Sequence, residues 1–299
     1  DSLQIAVSTL TNFGDSILVP AYGWRAFANA PVFMGRQVRF VDCDETGNMD
    51  MDKAIEGLEK EQWGQIKAVI VVHNFGTVAN TKKIWKTCKE KNIAIIEDAA
   101  PSFYMGEPYE YVPGSLADIT CYSFDFTKGP GCLGSGGGLA THDNDLYNII
   151  YQIQAHGTAK DHSIVRVGTK SFLDMTSCAV LLKEIELYEQ YNYRERRRQI
   201  ASFYLDNLPY TNVAGDNYIW ERYTMSVSRN EVDNVLKKLH DAGCLARIMF
   251  KQPLTQFEWV NPNEDKCPET ERFVNSIVHI PSHHYMEEWE LETIKKALN

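Results

Sequence analysis

Lys128 stands five residues past the strand-like run Ile119-Thr120-Cys121-Tyr122-Ser123 and directly before Gly129-Pro130-Gly131. A second glycine run, Gly134-Ser135-Gly136-Gly137-Gly138, follows at once. Backbone without side chains can approach a ligand closely, and an amine that is desolvated or set near another cation can form a Schiff base with an aldehyde. Asp98 closes a second apolar run, Ile93-Ala94-Ile95-Ile96-Glu97-Asp98. A carboxylate at the end of a buried strand is costly unless it meets a cation or several donors. It can cap the helix that follows, or act as counter-ion to a protonated ring nitrogen in a ligand. His73 and Ser123 likewise end apolar runs. Trp24, in Pro20-Ala21-Tyr22-Gly23-Trp24, is either a core aromatic or a ring that stacks on a planar ligand.

The elements that must position these residues alternate between two periodicities. Strands are expected at Ser16–Pro20, Val38–Asp42, Lys67–His73, Ile93–Asp98, Ile119–Ser123 and Gly138–Thr141, and helices at Trp24–Met34, Met51–Lys60, Asn80–Lys91 and Asp143–Gln154. Continuous apolar strands separated by helices predict a mostly parallel α/β sheet covered on both faces. Ligands bind beyond the carboxyl ends of such strands, so His73, Asp98 and Ser123 are expected to converge on one edge. A long helical pattern runs from about Ala179 to Leu208. Its charge run, Arg194-Glu195-Arg196-Arg197-Arg198, reads as a solvated helix face. Beyond Pro209 come a strand (Tyr223–Ser228), a helix (Glu231–Ala242), strands (Ala246–Phe250, Val278–Pro281) and a final helix from Glu287. This predicts a large domain over 1–208 and a small one over 209–299.

Composition narrows the classes of function. The 299 residues carry a net charge of −10, which opposes binding to nucleic acid or anionic lipid. The longest apolar stretch, around Ala68–Val72, is far shorter than the ~20 residues that span a bilayer. Seven scattered cysteines with no C-x-x-C pair predict reduced thiols in a cytoplasmic protein. The glycine run leads into a strand-like segment rather than a helix, which excludes a dinucleotide fingerprint. His279, His283 and His284 flank the extended Ile280-Pro281 and lack helical metal-ligand spacing. The chain opens at Asp1 inside an amphipathic helix, so a preceding segment is expected.

Several segments in order, Gly14-Asp15-Ser16-Ile17-Leu18-Val19-Pro20, His73-Asn74-Phe75-Gly76, Glu97-Asp98-Ala99-Ala100, Ser123-Phe124-Asp125-Phe126-Thr127-Lys128, Gly136-Gly137-Gly138 and Ala155-His156-Gly157, resemble the signatures of one family. These are the pyridoxal-phosphate (PLP)-dependent nucleotide-sugar aminotransferases of the DegT/StrS group. Arg197–Tyr204 and Val278-His279-Ile280-Pro281 extend the resemblance over essentially the whole chain. It implies the PLP-dependent transferase fold type I, an α/β fold whose large domain has a mostly parallel sheet and whose small C-terminal domain is also α/β. It further implies that Lys128 carries the cofactor as a Schiff base and moves protons. Asp98 would then keep the pyridine nitrogen protonated, Trp24 stack on the ring and Ser123 bind the phosphate. Lys170, in Gly168-Thr169-Lys170-Ser171-Phe172-Leu173-Asp174, would reach the partner's phosphate in a homodimer with a shared active site. The implied substrates are a nucleotide-linked 3- or 4-keto sugar and an amino-acid donor, glutamate.

The chain departs from the family pattern at three places. The Gly-Thr phosphate turn expected directly before Asp1 is not in this sequence, Pro101 replaces a side-chain donor near the cofactor's phenolic oxygen, and an acidic residue of the glycine loop is replaced near Ser135-Gly136. The last two bear on the substrate more than on the cofactor. Two rival readings are a PLP-dependent sugar dehydratase, whose members carry His at the Lys128 position, and a PLP-binding regulatory protein without turnover.

Overall fold

Consecutive apolar residues in a strand need cover on both faces, and the chain supplies it. A computed structural model describes residues 1–103, 111–213, 221–260 and 265–299. Six strands, β1 (Ser16–Pro20), β2 (Gln37–Val41), β3 (Ile66–Val72), β4 (Ala94–Asp98), β5 (Ile119–Ser123) and β6 (Gly137–Ala140), form one sheet in the order β2-β1-β3-β4-β5-β6. All neighbours are parallel except β5 and β6. Because side chains alternate across a strand, the apolar runs divide between two cores. Leu18, Val69, Val71 and Ile95 face α3 (Met51–Glu59) and α4 (Thr81–Glu90). Ile17, Val19, Ala68, Ile70, Val72 and Ile96 face α1 (Ser2–Leu10), α2 (Ala26–Phe33) and α5 (Asn144–Gln154).

Side-chain caps fix where several helices begin. Asp50 accepts from the amides of Asp52 and Lys53 at the start of α3, Asn80 from Lys83 at α4, and Asp143 from Asp145 and Leu146 at α5. Asp174 accepts from Ser177 at the start of α6 (Met175–Gln190). The single helix expected over Ala179–Leu208 is two. Asn192, with φ 47°, takes the left-handed conformation and separates α6 from α7 (Tyr193–Asn207). Asn tolerates that region better than most residues, and the break changes the buried face from that of Leu181 and Tyr188 on α6 to that of Arg197, Ile200, Ala201 and Tyr204 on α7.

The remaining elements are β7 (Tyr223–Ser226), α8 (Val232–Asp241), α9 (Pro268–Phe273), β8 (Ile277–Ile280) and α10 (Glu288–Leu298). β7 and β8 form an antiparallel pair covered by Ile200, Ala201 and Tyr204 of α7, Val235 and Leu239 of α8, and Leu291 and Ile294 of α10. The strand expected at Ala246–Phe250 is reduced to one bridge, Arg247 to His279, after which the chain turns toward the large sheet. Leu254, Val260 and Cys267 join the core on that sheet. Asp265 anchors this return. Its buried carboxylate accepts from Arg39 Nε and Nη2 at 3.0 and 2.7 Å, the Phe40 amide at 2.9 Å and Trp63 Nε1 at 3.0 Å. Among the described residues no helix is long and apolar enough to cross a membrane.

Removing one member of a buried, hydrogen-bonded ion pair leaves its partner uncompensated, at about 3–5 kcal/mol. Arg39 is partly exposed, which places Asp265→Ala near the lower end, at a loss of about 3 kcal/mol in urea unfolding. Lys60→Ala, in an exposed pair with Glu56, is the control and leaves the midpoint unchanged.

Candidate active site

Two adjacent carboxylates at the end of β4 meet opposite fates. Glu97 points into the interior, where Thr81 Oγ1 donates a short hydrogen bond, Tyr111 Oη donates at 2.7 Å and the Gly114 amide at 2.5 Å. His73 Nε2 lies 3.4 Å away. Burial alone would raise the Glu97 carboxyl, but His73, Thr81 and Tyr111 hold it below its usual range. Asp98 points the other way, into a cleft of about 1380 Å³ beyond the carboxyl ends of the strands. It is 5% exposed, and among the described residues its one donor is the Ala100 amide at 2.9 Å. Burial raises its carboxyl, against the pull of Ala100, Lys128 and His73. Asp98 is therefore a buried carboxylate short of partners, facing open space.

Lys128 enters the same cleft from the loop after β5. Asp125 builds that loop by accepting from the Thr127 amide and hydroxyl at 3.0 and 2.7 Å, and its carbonyl accepts from the Lys128 amide at 2.7 Å. The turn closes only because residue 131 has no side chain. A Cβ on Gly131 would lie 2.8 Å from the Asp125 carbonyl oxygen and 3.0 Å from that of Lys128. Lys128 Nζ then lies 3.3 Å from Glu221 Oε1.

Glu221 is 9% exposed and also meets Arg222 Nε at 3.1 Å. Arg197 stands behind it, donating to the Glu221 carbonyl at 3.2 Å and to Tyr188 Oη at 3.3 Å. Burial would raise the Glu221 carboxyl, yet Lys128, Arg222 and Arg197 bring it down to about 2. The expectation of a solvated face for the Arg194–Arg198 run thus fails at Arg197, which is buried. Its place with Ile200, Ala201 and Tyr204 on the inner row of α7 follows a helical spacing that was available as a signal. Glu221 carried no such signal: it is one of two adjacent charges ahead of a strand.

The other sequence-derived residues divide. Ser123 and Trp24 line the cleft with Asp98 and Lys128. The Ser123 hydroxyl accepts from the Asp125 amide at 3.4 Å. Trp24 is 45% exposed, with the Arg25 guanidinium 4.2 Å from its ring centroid. Residues 1–5, in and just before α1, line the cleft too. His73 ends its strand as expected but does not line the cleft; its ring is taken by Glu97 and, through Nδ1, by the Ala79 amide at 3.1 Å. Lys170 is exposed and pairs with Ala155 in an isolated bridge outside this cleft. Its segment is held by two backbones crossing closely: a Cβ on Gly157 would fall 1.8 Å from the Arg166 oxygen, and one on Gly168 2.2 Å from the Gly157 nitrogen.

The donor set fits a flat cofactor bearing an aldehyde, a basic ring nitrogen and a phosphate: an amine at Lys128, a carboxylate needing a cation at Asp98, an aromatic at Trp24, and a hydroxyl at Ser123 close to a helix start. The mostly parallel sheet and its helices are those of PLP-dependent transferases of fold type I. The family model described as the DegT/DnrJ/EryC1/StrS aminotransferase family matches residues 1–299. The chain belongs to this family and is a PLP-dependent aminotransferase.

It is 29% identical to the UDP-2-acetamido-2-deoxy-3-oxo-D-glucuronate aminotransferase of Pseudomonas aeruginosa, over 100% of this chain and 83% of that protein. A pleiotropic regulatory protein of Geobacillus stearothermophilus is 27% identical over 94% of this chain and 77% of its own length. A DegT/DnrJ/EryC1/StrS aminotransferase from Brucella abortus superposes with a TM-score of 0.89 at 25% identity, covering 99% of this chain and 82% of that one.

A carboxyl whose folded value is raised gains nothing from ionising. Its stability cost is absent at low pH, grows as pH climbs past the ordinary aspartate range, and is complete above the raised value. Asp98→Asn keeps the Ala100 bond and removes the charge. In the cofactor-free chain this variant is expected to be at least as stable as wild type at pH 7, with the advantage vanishing below about pH 4, read from urea midpoints across pH. The same variant is expected to lose retention of the cofactor.

Proposed function

We propose that the protein transfers the amino group of an amino acid, glutamate, to the 3- or 4-keto carbon of a nucleotide-linked sugar, with Lys128 as its catalytic residue. The observation that carries this reading is the pairing of a partner-poor buried carboxylate, Asp98, with a lysine amine across one cleft. The names of relatives support the sugar, among them the glucuronate aminotransferase above. Bound PLP would supply a carbonyl for amines and a protonated ring able to take up an electron pair. Lys128 Nζ would take the proton from the donor's Cα and return it on the cofactor side, since general acid–base transfer needs a group within hydrogen-bond reach of both positions. Asp98 would hold the ring nitrogen's proton. Trp24 would fix the ring plane, and Ser123 the phosphate.

Lys170 lies outside the cleft of its own chain, and in a homodimer with a shared site each Lys170 would serve the phosphate of its neighbour. The large domain over 1–208 would then carry the cofactor, while 209–299 closes the cleft. A cytoplasmic setting suits seven thiols free of disulfides. The resemblance to the pleiotropic regulatory protein of Geobacillus supports, as a second reading, a regulatory role beside the transamination.

Cofactor-loaded protein mixed with glutamate is expected to lose the visible absorbance of its bound cofactor, and a nucleotide-linked keto sugar to restore it. A spectrum indifferent to both would contradict the proposed donor and acceptor. For the shared site, mixing inactive Lys128→Ala with inactive Lys170→Glu subunits is expected to recover part of the activity. A mixture that exchanges subunits and stays inactive contradicts it.

A further inference from the structure

Lys128 does not wait free in the cleft. Its Nζ rests 3.3 Å from Glu221 Oε1, and Glu221 is held from behind by groups that do not move with the lysine. Arg222 Nε stands 3.1 Å from the other carboxylate oxygen, and Arg197 is fixed by its bonds to the Glu221 carbonyl and Tyr188 Oη. When the lysine nitrogen leaves to react, two guanidinium groups remain to balance the carboxylate. Glu221 therefore stays anionic through every state of the lysine, and its low carboxyl value is consistent with that.

We propose that Glu221 is a positioning residue for Lys128: a fixed anion that holds the lysine nitrogen in an ion pair whenever it is not covalently engaged, so that the nitrogen must break this contact before it attacks a carbonyl. This inference rests on the reading of Lys128 as the amine that takes the cofactor, and deepens it. Among the described residues, the other charged groups around the lysine include Asp98 from β4, Asp125 from its own loop, and Arg222 and Arg197 beyond Glu221. Of these, Glu221 is the carboxylate in direct contact with Nζ. A buried anion so placed holds the lysine nitrogen by a charge-assisted contact, and an uncharged amide of the same shape holds it less tightly.

Glu221 also explains an asymmetry in the cleft. Asp98 is short of partners and stands open to a ligand cation, whereas Glu221 is saturated by this chain's own cations. One carboxylate is thus reserved for the cofactor and the other for the lysine.

The test follows capture of PLP by the cofactor-free full chain, read by absorbance at a series of pH values. Glu221→Gln keeps the size of the side chain and removes its charge. With the nitrogen held less tightly, this variant is expected to capture PLP about tenfold faster than wild type at pH 7. Glu221→Asp keeps the charge but withdraws it by one methylene, and is expected to speed capture by less. This second variant decides the matter if the glutamine variant does not fold. Profiles of folded variants that superimpose on wild type would overturn the role of Glu221. Lys128→Ala separates the two levels: if it captures PLP as fast as wild type, the reading of Lys128 itself fails, and if it captures none while the Glu221 variants superimpose, only the present inference fails.

Discussion

One amine stands between two buried carboxylates, and the rest of the molecule serves that arrangement. Charges taken out of water are tolerated only when balanced. Asp98 is balanced poorly by its own chain, Glu221 thoroughly, and Lys128 lies within the field of both. This imbalance makes the cleft a place for a cationic ring and a reactive carbonyl rather than a satisfied interior.

The scaffold accounts for the asymmetry. β4 ends with two acidic residues in succession, and strand alternation forces them to opposite faces. Glu97 is turned inward and is met by donors from Thr81, Tyr111 and Gly114, with His73, just past β3, 3.4 Å away. Asp98 is left to the outside of the sheet, where parallel strands present their ends. The tight Asp125–Gly131 turn then returns Lys128 over the same edge. Glu221 arrives from the start of β7, and α7 delivers Arg197 behind it. The antiparallel pair β7–β8 and its helices are thus as necessary to the site as the large sheet.

Much of this was legible from residue order. The apolar runs around Ala68–Val72 and Ile93–Ile96 implied a sheet covered on both faces, and the strand ends pointed to Asp98 and Ser123. His73 shows the limit of that argument, since ending a strand places a residue at the edge but does not aim its side chain. The break at Asn192 could have been read from the change of phase across it, since Leu181 and Tyr188 mark one helical face and Arg197, Ile200, Ala201 and Tyr204 nearly the opposite one. Arg197 was hidden by its charged neighbours, although its spacing to Ile200, Ala201 and Tyr204 marked the inner face. Glu221 could not be found at all, because its role depends on a contact across 93 residues of chain.

The central claim is that the nitrogen of Lys128 bonds covalently to the cofactor. Reducing the PLP-loaded protein with borohydride and mapping its peptides by mass spectrometry tests this directly. The account predicts one phosphopyridoxyl group per chain, on Lys128. A stoichiometric adduct on any other lysine, or cofactor released intact after reduction, would contradict it.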